Sequence, residues 1–388
     1  MSEKRDFDVL VVGGGVIGLS CAWRLAQRGA QVAVIERDGP GCGATRVAAG
    51  MLAPVGELTF GEPELLELTL AAAKLYPEFV AELEAATGES AGYEQLGALH
   101  VALDRDEAAQ LRRVHDLQRS LELEAEWLPP RRCRDLEPGL TPSFHGGVFA
   151  AGEAAVDPRV LTEVLLVACE IEGVEIRTGA EVVDGIFERG RMVGVRSRLD
   201  GEIAAETILL AAGAWSGSMA WLPEEARPAV RPVKGQVVEL RSRSTEPVAR
   251  HILASERVYL VPRNDGRLVI GATVEEMGYD TAITAGGVHE LLREAYRLLP
   301  DVAEMEWVGA TAGLRPGTPN NLPLVGPGAI EGLVLATGHF RNGILLAPLA
   351  AQAVADLVAP SDSGRRSSFP RNRWGKDERA VTGVGRNS

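Results

Sequence analysis

The first 36 residues alternate between short apolar runs and one segment of helical periodicity. Residues 7–12 form an apolar run typical of a buried strand, and residues 16–28 repeat apolar positions at a helical period up to Gly29, a helix-ending glycine. A second apolar run follows at residues 32–35. This order predicts that the chain opens with a β-α-β unit.

Amphipathic helices and alternating strands are predicted through the rest of the chain. Residues 63–84 and 106–121 have the spacing of amphipathic helices, and residues 94–103 between them alternate like a strand. In residues 257–273 an Asn-Asp-Gly turn separates two alternating runs and predicts a hairpin. The remaining predicted elements are helices at 158–172 and 288–299, strands at 174–177, 181–188, 192–198, 207–216 and 233–242, and a strand, loop and helix over 332–358.

Length and charge narrow the class of protein. A chain of 388 residues is long for one hydrophobic core and suits two interleaved domains. The formal net charge of −14 argues against nucleic acid as a partner, because phosphate binding requires a basic surface. The basic, polar residues 361–388 predict a disordered and solvated tail, which we favour over a membrane-binding or RNA-binding arm.

The apolar runs and the cysteines indicate where the protein is located and whether it binds a metal ion. No stretch is long and apolar enough to span a bilayer, and the glycines at 13–15 divide the N-terminal apolar run, which argues against a signal peptide. We therefore expect a cytoplasmic protein with reduced thiols, no membrane partner and no metal site. Neither a C-x-x-C pair nor a zinc-binding spacing occurs among the cysteines, which are Cys21, Cys42, Cys133 and Cys169.

The strongest local motif is a glycine-rich turn at the junction of the first strand and helix. Gly13, Gly15 and Gly18 in "VVGGGVIG" fit the pattern G-x-G-x-x-G. Such glycines allow a tight turn, a close approach of the backbone to a pyrophosphate, and packing of the helix on the strand. Glu36 ends the second strand, where a ribose hydroxyl requires an acceptor. Together these features predict a dinucleotide site.

The motif alone does not distinguish NAD from FAD. The segment "GPGCGATRVAAGML" that follows Glu36 is a long loop of small residues, whose backbone amides and Thr45 hydroxyl could line an extended cofactor. NAD enzymes more usually continue directly into a helix. The loop therefore favours FAD.

Two arginines near the end of the chain are candidates for chemistry. Arg315 in "AGLRPGTP" lies in a segment too irregular for a solvated helix face, and its fixed guanidinium matches a carboxylate; the alternative is a structural arginine on a β-turn. Arg341 in "GHFRNGILLAP" precedes a helix that should begin at about Gly343; its alternative is an interdomain salt bridge. No Ser-His-Asp, H-E-x-x-H or paired-carboxylate arrangement stands out.

Eight short segments match the motifs of one known family. They are "VVGGGVIGLSCAWRLAQRG", "ATRVAAGML", "AAGAWS", "VKGQ", "VYLVPR", "GRLVIGAT", "AGLRPGTPNNLPLVGP" and "GHFRNGILLAP". The first is common to many flavoproteins, and the last two are far more specific. To about residue 360, the chain resembles the D-amino-acid-oxidase-like family of FAD-dependent amine oxidases.

The resemblance implies an α/β fold. A Rossmann-like FAD-binding domain would be interleaved with an α+β substrate domain built on an antiparallel sheet that roofs the flavin. The expected boundaries are 1–55, 140–225 and 310–360 for the FAD-binding domain and 56–139 and 226–309 for the substrate domain.

The resemblance also implies a set of cofactor residues. Ala44 carries no hydroxyl where relatives often have Ser or Thr, so its contact would be through the backbone. Some relatives tether FAD through a C-terminal cysteine, but no cysteine lies beyond Cys169, which predicts non-covalent FAD. Beside Gly13, Gly15 and Gly18, the implied contacts are Val16, Ile17, Glu36, Arg37, Ala44, Thr45, Ala49, Gly50, Met51, Val182, His339, Phe340, Arg341, Asn342, Gly343, Ile344 and Leu345.

The implied activity is oxidation of a small amino acid or amine. In the family, a residue at the position of Arg315 binds the substrate carboxylate, Tyr259 is a second carboxylate contact, and Arg341 projects over the flavin. From alternation alone, Tyr259 could equally point into the core. Val274 would form a pocket wall, and His339 a hydrogen bond that stabilises its loop rather than a catalytic base.

The reaction implied is oxidative deamination of glycine, with sarcosine or small D-amino acids as side substrates, by hydride transfer to flavin. Its products would be glyoxylate, ammonia and, with dioxygen as acceptor, hydrogen peroxide. In the family the imine product also enters synthesis of the thiamine thiazole. Two alternatives remain open: a D-amino-acid or sarcosine dehydrogenase that passes electrons to a quinone or carrier protein, and a nucleotide-binding assembly protein without turnover. The family further implies a homo-oligomer, a tetramer.

Overall fold

The computed structural model describes residues 6–244 and 247–359 of the chain. Within this part, the helices and strands form two large sheets, one small sheet and the helices that cover them. The tail predicted at 361–388 lies outside the described residues.

The first sheet has a parallel centre, as the β-α-β opening predicts. Phe7–Val12 pairs in parallel with Val32–Ile35 on one side and with Gly201–Leu210 on the other, and the sheet continues from Gly201–Leu210 to Leu333–Thr337. Val32–Ile35 and Leu333–Thr337 are apolar and buried throughout, and the carboxyl ends of the other two strands are as well, as in parallel strands covered by helices. The other strands of this sheet in the described residues are Glu175–Arg177, Val182–Glu188, Arg191–Ser197 and Leu324–Pro327.

The second sheet is mainly antiparallel and is built from separated parts of the chain. Its longest pairing joins Arg231–Arg241 to Glu306–Gly317. The predicted hairpin forms as Tyr259–Pro262 and Arg267–Gly271. The remaining strands of the second sheet in the described residues are Ala98–Val101, Glu126–Leu128, Gly147–Ala150 and Ile252–Ala254, and the small third sheet consists of Met51–Leu52, Tyr93–Glu94 and Ala154–Val156.

The predicted helices form, most of them within three residues of the expected bounds. Val16–Ala26, Pro63–Thr87, Pro158–Ile171 and Gly343–Val358 pack their apolar faces into one core against the first sheet. Ala285–Leu298 covers the second sheet. The other helical segments are Ala44–Val47, Arg105–Ser120 and Pro130–Leu136, with 3₁₀ turns at Gly213–Ser218, Glu224–Ala226, Pro300–Glu304 and Phe340–Asn342.

Three segments differ from the sequence-based expectation. The strand predicted at 94–103 is divided between Tyr93–Glu94 in the small sheet and Ala98–Val101 in the second sheet. The strand predicted at 207–216 is Gly201–Leu210, and the chain then enters the 3₁₀ turn Gly213–Ser218. The segment around Arg315, expected to be irregular, belongs to the twelve-residue strand Glu306–Gly317. Its glycines and proline are tolerated because the whole strand is paired with Arg231–Arg241, an interaction that local pattern does not reveal.

The domain boundaries stay a prediction, and two strands bear on them. Gly147–Ala150 and Glu306–Gly317 belong to the second sheet. The first lies inside segment 140–225, and most of the second lies inside segment 310–360, both of which the expected boundaries assign to the FAD-binding domain.

Candidate active site

A long cavity lies where the carboxyl ends of the parallel strands meet the second sheet. Its volume is about 960 Å³, which is the upper range for pockets that bind cofactors. Residues that directly follow three parallel strands line it, namely Gly13, Glu36 and Ala211. In open α/β sheets this edge, where the strand order reverses, is the usual ligand site. From the second sheet, Val237, Tyr259, Gly271 and Arg315 also line it.

The glycine turn shapes one end of the cavity. Gly13 has φ +112°, and a Cβ on Gly18 would lie 1.9 Å from the carbonyl oxygen of Gly13, so both positions require glycine. A Cβ on Gly15 would meet only Thr45 Oγ1, at 3.4 Å. Gly15 therefore leaves space directly before the helix that begins at Val16, where backbone N–H groups have no helical partner.

The side chains beside this turn are fixed by hydrogen bonds. The Glu36 carboxylate accepts from the Gly14 N–H at 2.7 Å and from the Asp38 N–H at 2.9 Å. Thr45 Oγ1 accepts from the Val16 N–H at 3.1 Å, so this hydroxyl ties the loop of small residues to the helix start. The guanidinium of Arg37 lies 4.8 Å from the ring centre of Trp215. These contacts hold an acceptor carboxylate at the end of the second strand.

The loop before the C-terminal helix reaches the middle of the cavity. Gly338 and Phe340 adopt positive φ angles of +76° and +47°, and the helix then begins at Gly343 as predicted. His339 is 2% exposed, and its Nε2 has no hydrogen-bond partner among the described residues. Burial lowers the pKa of His339 to about 3, so the ring is neutral. The expected loop-stabilising hydrogen bond is thus not made by Nε2, which is left free beside the cavity.

Arg341 forms the ion pair that the sequence left open as an alternative. Its Nη2 lies 2.9 Å from Glu62 Oε2 and also donates to Thr59 Oγ1 at 2.9 Å. Glu62 and Thr59 come from the segment expected to form the substrate domain, so the pair joins distant parts of the chain. Arg341 still lines the cavity, but part of its hydrogen-bonding capacity is used.

Arg315 has no such partner among the residues that the structure describes. It stands opposite Val233 in the long antiparallel pairing, and its guanidinium lies against Gly235, where a Cβ would come within 2.5 Å of it. Its Nη1 donates to the carbonyl oxygens of Thr273 at 3.0 Å and Lys234 at 3.4 Å. No carboxylate lies within ion-pair distance of Arg315 in the part of the chain that the structure describes. The contacts of Arg315 are with neutral groups, namely these carbonyl oxygens and the Tyr259 phenol, so its charge is available for an anionic ligand.

Tyr259 lines the cavity and also packs against a small apolar cluster of the second sheet. Its ring lies over Gly271, where a Cβ would be 2.3 Å from the phenol oxygen. Burial raises the pKa of Tyr259 and the nearby Arg315 lowers it, with a net increase. The phenol therefore remains protonated and able to donate a hydrogen bond beside Arg315.

Most of the predicted cofactor residues line this one cavity. Val182 and the substrate-wall residue Val274 do so as well. Three predicted cofactor residues do not: Gly18 packs beneath the turn, while Asn342 and Leu345 are buried next to the lining. A sequence motif identifies a run of consecutive residues, but in a helix or turn only some of these residues face the cavity.

Three titratable residues at the cavity were missed from the sequence. Glu57 and His100 line it, and Glu153 is buried behind them at 2% exposed. Burial raises the pKa of Glu153 to about 8 and lowers that of His100 to about 4. Glu57 and Glu153 lie in two separate loops and His100 on a strand of the second sheet, so no spacing could have linked them. A glutamate in the otherwise apolar "APVGE" was the one available signal.

Other classes of site are not found in the described residues. They contain no group of three His, Cys, Asp or Glu side chains arranged to hold a metal ion. Within the same ranges, no helix combines the length and apolar character that crossing a bilayer requires. The four cysteines are all unpaired.

Comparison with known proteins shows to which protein family the chain belongs. The family described as FAD dependent oxidoreductase matches residues 8–357. The chain therefore belongs to the FAD-dependent oxidoreductases.

Within that family, the chain is similar to glycine oxidases. It is 35% identical to the glycine oxidase of Geobacillus kaustophilus, over 91% of this chain and 93% of that protein. The crystal structure of glycine oxidase from Geobacillus kaustophilus superposes with a TM-score of 0.85 at 34% identity, covering 92% of this chain and 96% of the other. The bifunctional protein ThiO/ThiG of Trichormus variabilis is 37% identical over 92% of this chain. The chain spans about half of that longer relative, 53% of its length.

The cavity has the features that FAD requires. Gly15 leaves room for a pyrophosphate at the start of the helix Val16–Ala26, and Glu36 offers a carboxylate at the ribose position. At the other end, the N-terminus of the helix that begins at Gly343 and the unpartnered Nε2 of His339 supply polar groups for the flavin ring. The residues present therefore fit the cofactor of the family.

Proposed function

We propose that this chain catalyses the FAD-dependent oxidative deamination of glycine, with sarcosine and small D-amino acids as further substrates. The proposed products are glyoxylate, ammonia and hydrogen peroxide, with dioxygen as electron acceptor. The observation that carries the proposal is the cavity-facing guanidinium of Arg315, which has no ion-pair partner among the described residues. The similarity to glycine oxidases supports the choice of substrate.

Arg315 and Tyr259 are the proposed carboxylate-binding pair. The guanidinium binds the substrate carboxylate in a charge-assisted contact that contributes about 1.5–3 kcal/mol. The protonated phenol of Tyr259 donates a further hydrogen bond from the neighbouring strand of the roof. For a substrate as small as glycine, these contacts account for most of the available binding energy.

The proposed cofactor residues are those of the predicted set that line the cavity, with Gly18, Asn342 and Leu345 acting by packing behind them. When bound, FAD accepts the hydride from the substrate Cα and delivers the electrons to dioxygen. The free N–H groups at the start of the Gly343–Val358 helix stabilise negative charge at that end of the cavity. His339 stays neutral because it is buried, so it adds no competing positive charge.

The cellular setting is also a proposal. The similarity to proteins named ThiO/ThiG supports a role in making the thiazole part of thiamine. The four unpaired cysteines support a reducing, cytoplasmic location. A homo-oligomer, as a tetramer, follows from the family, and light scattering on the eluted protein would test it.

Two assays on purified protein test the function. The protein should be yellow, glycine should bleach the flavin absorbance under anaerobic conditions, and in air the turnover should produce hydrogen peroxide. Bleaching without peroxide would replace the oxidase with the dehydrogenase alternative. A protein that stays colourless after reconstitution with FAD, or a flavin that no small amino acid reduces, would overturn the proposal in favour of an assembly role.

A further inference from the structure

Glu57 is a charged group in the cavity that the carboxylate-binding pair does not explain. It lies in the loop after the strand Met51–Leu52 and lines the same cavity as Tyr259, Arg315 and Arg341. Its backbone N–H and carbonyl make contacts within the loop, but its carboxylate has no hydrogen bond or ion pair with any described residue. A carboxylate that lies beside two arginines and has no partner in the described part of the chain is available to a ligand.

The loop that carries Glu57 is held in one position. Glu153 Oε1 accepts from the N–H groups of Val55 at 2.9 Å and Gly56 at 2.5 Å. On the other side, Gln118 Nε2 donates to the Val55 carbonyl at 2.9 Å. A Cβ on Gly56 would come within 2.3 Å of His100 Nε2, so the backbone there packs directly on the histidine. Glu57 is thereby presented to the cavity from a fixed backbone.

The charges around Glu57 leave one unpaired cation and one unpaired anion. Arg341 is paired with Glu62, and burial keeps His100 neutral at neutral pH. Arg315 and Glu57 are then two opposite charges of the cavity lining without an ion-pair partner among the described residues, and neither is exposed like Glu256 and Arg257 at the rim. Such an arrangement matches a zwitterion, with its carboxylate at Arg315 and its ammonium at the carboxylate.

We propose that Glu57 binds the α-ammonium group of the substrate and takes a proton from it, producing the neutral amine. In this step an N–H bond of the ammonium breaks, an O–H bond forms on Glu57, and the nitrogen keeps the electron pair. This inference rests on the proposed function, because it requires an amino-acid substrate anchored at Arg315. It adds a selectivity rule, since Glu57 repels a second carboxylate and favours substrates with one carboxylate and one amine.

The surroundings of Glu57 are consistent with a proton acceptor. Burial raises the pKa of Glu57, while Arg341 and Arg315 oppose that increase without cancelling it. The other titratable groups near this carboxylate are Tyr259, which stays protonated, and Glu153, whose raised pKa keeps it largely neutral at neutral pH. Loss of a hydride from Cα requires the free amine, because an ammonium has no lone pair to stabilise the imine that forms.

The test is the variant Glu57→Gln, compared with wild type and with Glu64→Gln. Glu64 is exposed at the start of the helix Pro63–Thr87 and carries the same charge nearby. In Glu57→Gln, kcat/KM for glycine should fall at least about tenfold at neutral pH and then rise about tenfold per pH unit, because only the free amine would react. Glu64→Gln should keep the wild-type profile.

A second measurement separates proton transfer from a structural role. Glycolate carries the carboxylate of glycine but no amine, and its binding can be followed through the flavin absorbance. Its affinity should be unchanged or higher in Glu57→Gln, because Arg315 remains and a like charge is removed. Glu57→Asp should restore part of the activity at neutral pH.

Three other results would each reject either the role of Glu57 or the proposed function. An active wild type whose pH profile is unchanged in Glu57→Gln overturns the role of Glu57 alone. Weakened glycolate binding together with a lower melting temperature shows that Glu57 acts structurally, which also rejects the proposal. A wild type that glycine does not reduce overturns the proposed function, and the role of Glu57 with it.

Discussion

Arg315 and Arg341 carry the same side chain but occupy different electrostatic environments. Arg341 is bound to Glu62 and Thr59, whereas Arg315 is held by two carbonyl oxygens and has no carboxylate within ion-pair distance in the described residues. In sequence both were arginines two residues from a glycine. The difference arises from partners that lie 279 or more residues away along the chain for Arg341.

Arg315→Ala should weaken substrate binding more than it slows the chemical step. Loss of a charge-assisted contact of about 1.5–3 kcal/mol corresponds to a rise of about ten- to hundredfold in KM for glycine. Arg341→Ala should raise KM less, because that guanidinium is already paired with Glu62, and a partly exposed ion pair contributes about 0–1 kcal/mol. Steady-state kinetics with glycine measure both, and equal losses in the two variants would contradict the assignment.

Glu153 should make stability depend on pH. Burial raises its pKa to about 8, so between about pH 5 and pH 8 the folded state holds a proton that the unfolded state has lost. Stability from this group is present at low pH and is lost as the pH rises, by at most about 1.4 kcal/mol per pH unit. Glu153→Gln keeps an acceptor for Val55 and Gly56 but cannot ionise.

The unfolding free energy of Glu153→Gln should therefore fall less than that of the wild type over this pH range. Denaturant unfolding of the apoprotein at several pH values measures the difference. Parallel curves for variant and wild type would show that Glu153 is already ionised in the folded protein.

At the scale of elements, the glycine turn combines two separate requirements. Gly18 is needed for packing of the helix Val16–Ala26 on the Gly13 carbonyl, whereas Gly15 has ordinary backbone angles, φ −76° and ψ 177°, and faces open space. Sequence shows both as one motif. In the structure, Gly18 serves the packing of the fold, whereas Gly15 leaves space for a ligand, although both belong to the same turn.

Gly18→Ala should therefore lower the stability of the apoprotein, and Gly15→Ala should weaken FAD binding. The methyl group in Gly18→Ala overlaps backbone, so the apoprotein should lose about 1–3 kcal/mol of stability. In Gly15→Ala the apoprotein should unfold like the wild type, but FAD should bind more weakly, because the methyl group fills the space at the helix N-terminus. Apoprotein melting and a fluorescence titration with FAD distinguish them; loss of stability in Gly15→Ala would be inconsistent with this division.

Long-range pairing explains the elements that the sequence did not predict. The strand Glu306–Gly317 contains glycine and proline but forms because Arg231–Arg241 supplies a partner along its whole length. The helix Pro63–Thr87, by contrast, needed only its own amphipathic spacing and forms as predicted, although Pro77 lies inside it. Local periodicity is sufficient for helices and insufficient for edge-to-edge pairing of irregular strands.

At the scale of the whole molecule, the cavity is formed jointly by the two large sheets. Parallel-strand ends supply its floor and the antiparallel sheet supplies its roof, so segments from the entire chain contribute to it. We retain the two-domain division as a proposal, with Gly147–Ala150 and the strand Glu306–Gly317 belonging to the sheet of the substrate domain. Bound FAD would contact both parts.

FAD should be held without a covalent bond. No cysteine lies beyond Cys169, and Cys21, Cys133 and Cys169 are buried with pKa values that burial raises, so these thiols are unreactive. Acid precipitation of the yellow protein should leave all of the flavin in the supernatant. Flavin that stays with the precipitate would contradict the prediction.

The sequence by itself determined the features that depend on neighbouring residues. The β-α-β opening, the glycine turn with Glu36, and the helix after Gly338 follow from periodicity and from backbone conformations that few residues other than glycine adopt easily. Tertiary structure alone decided that Arg341 is paired, that Arg315 and Glu57 have no ion-pair partner among the described residues, and that Glu153 and His100 lie beside the cavity. Contacts between residues far apart in the chain leave no local pattern, because they depend on how sheets and loops meet in space.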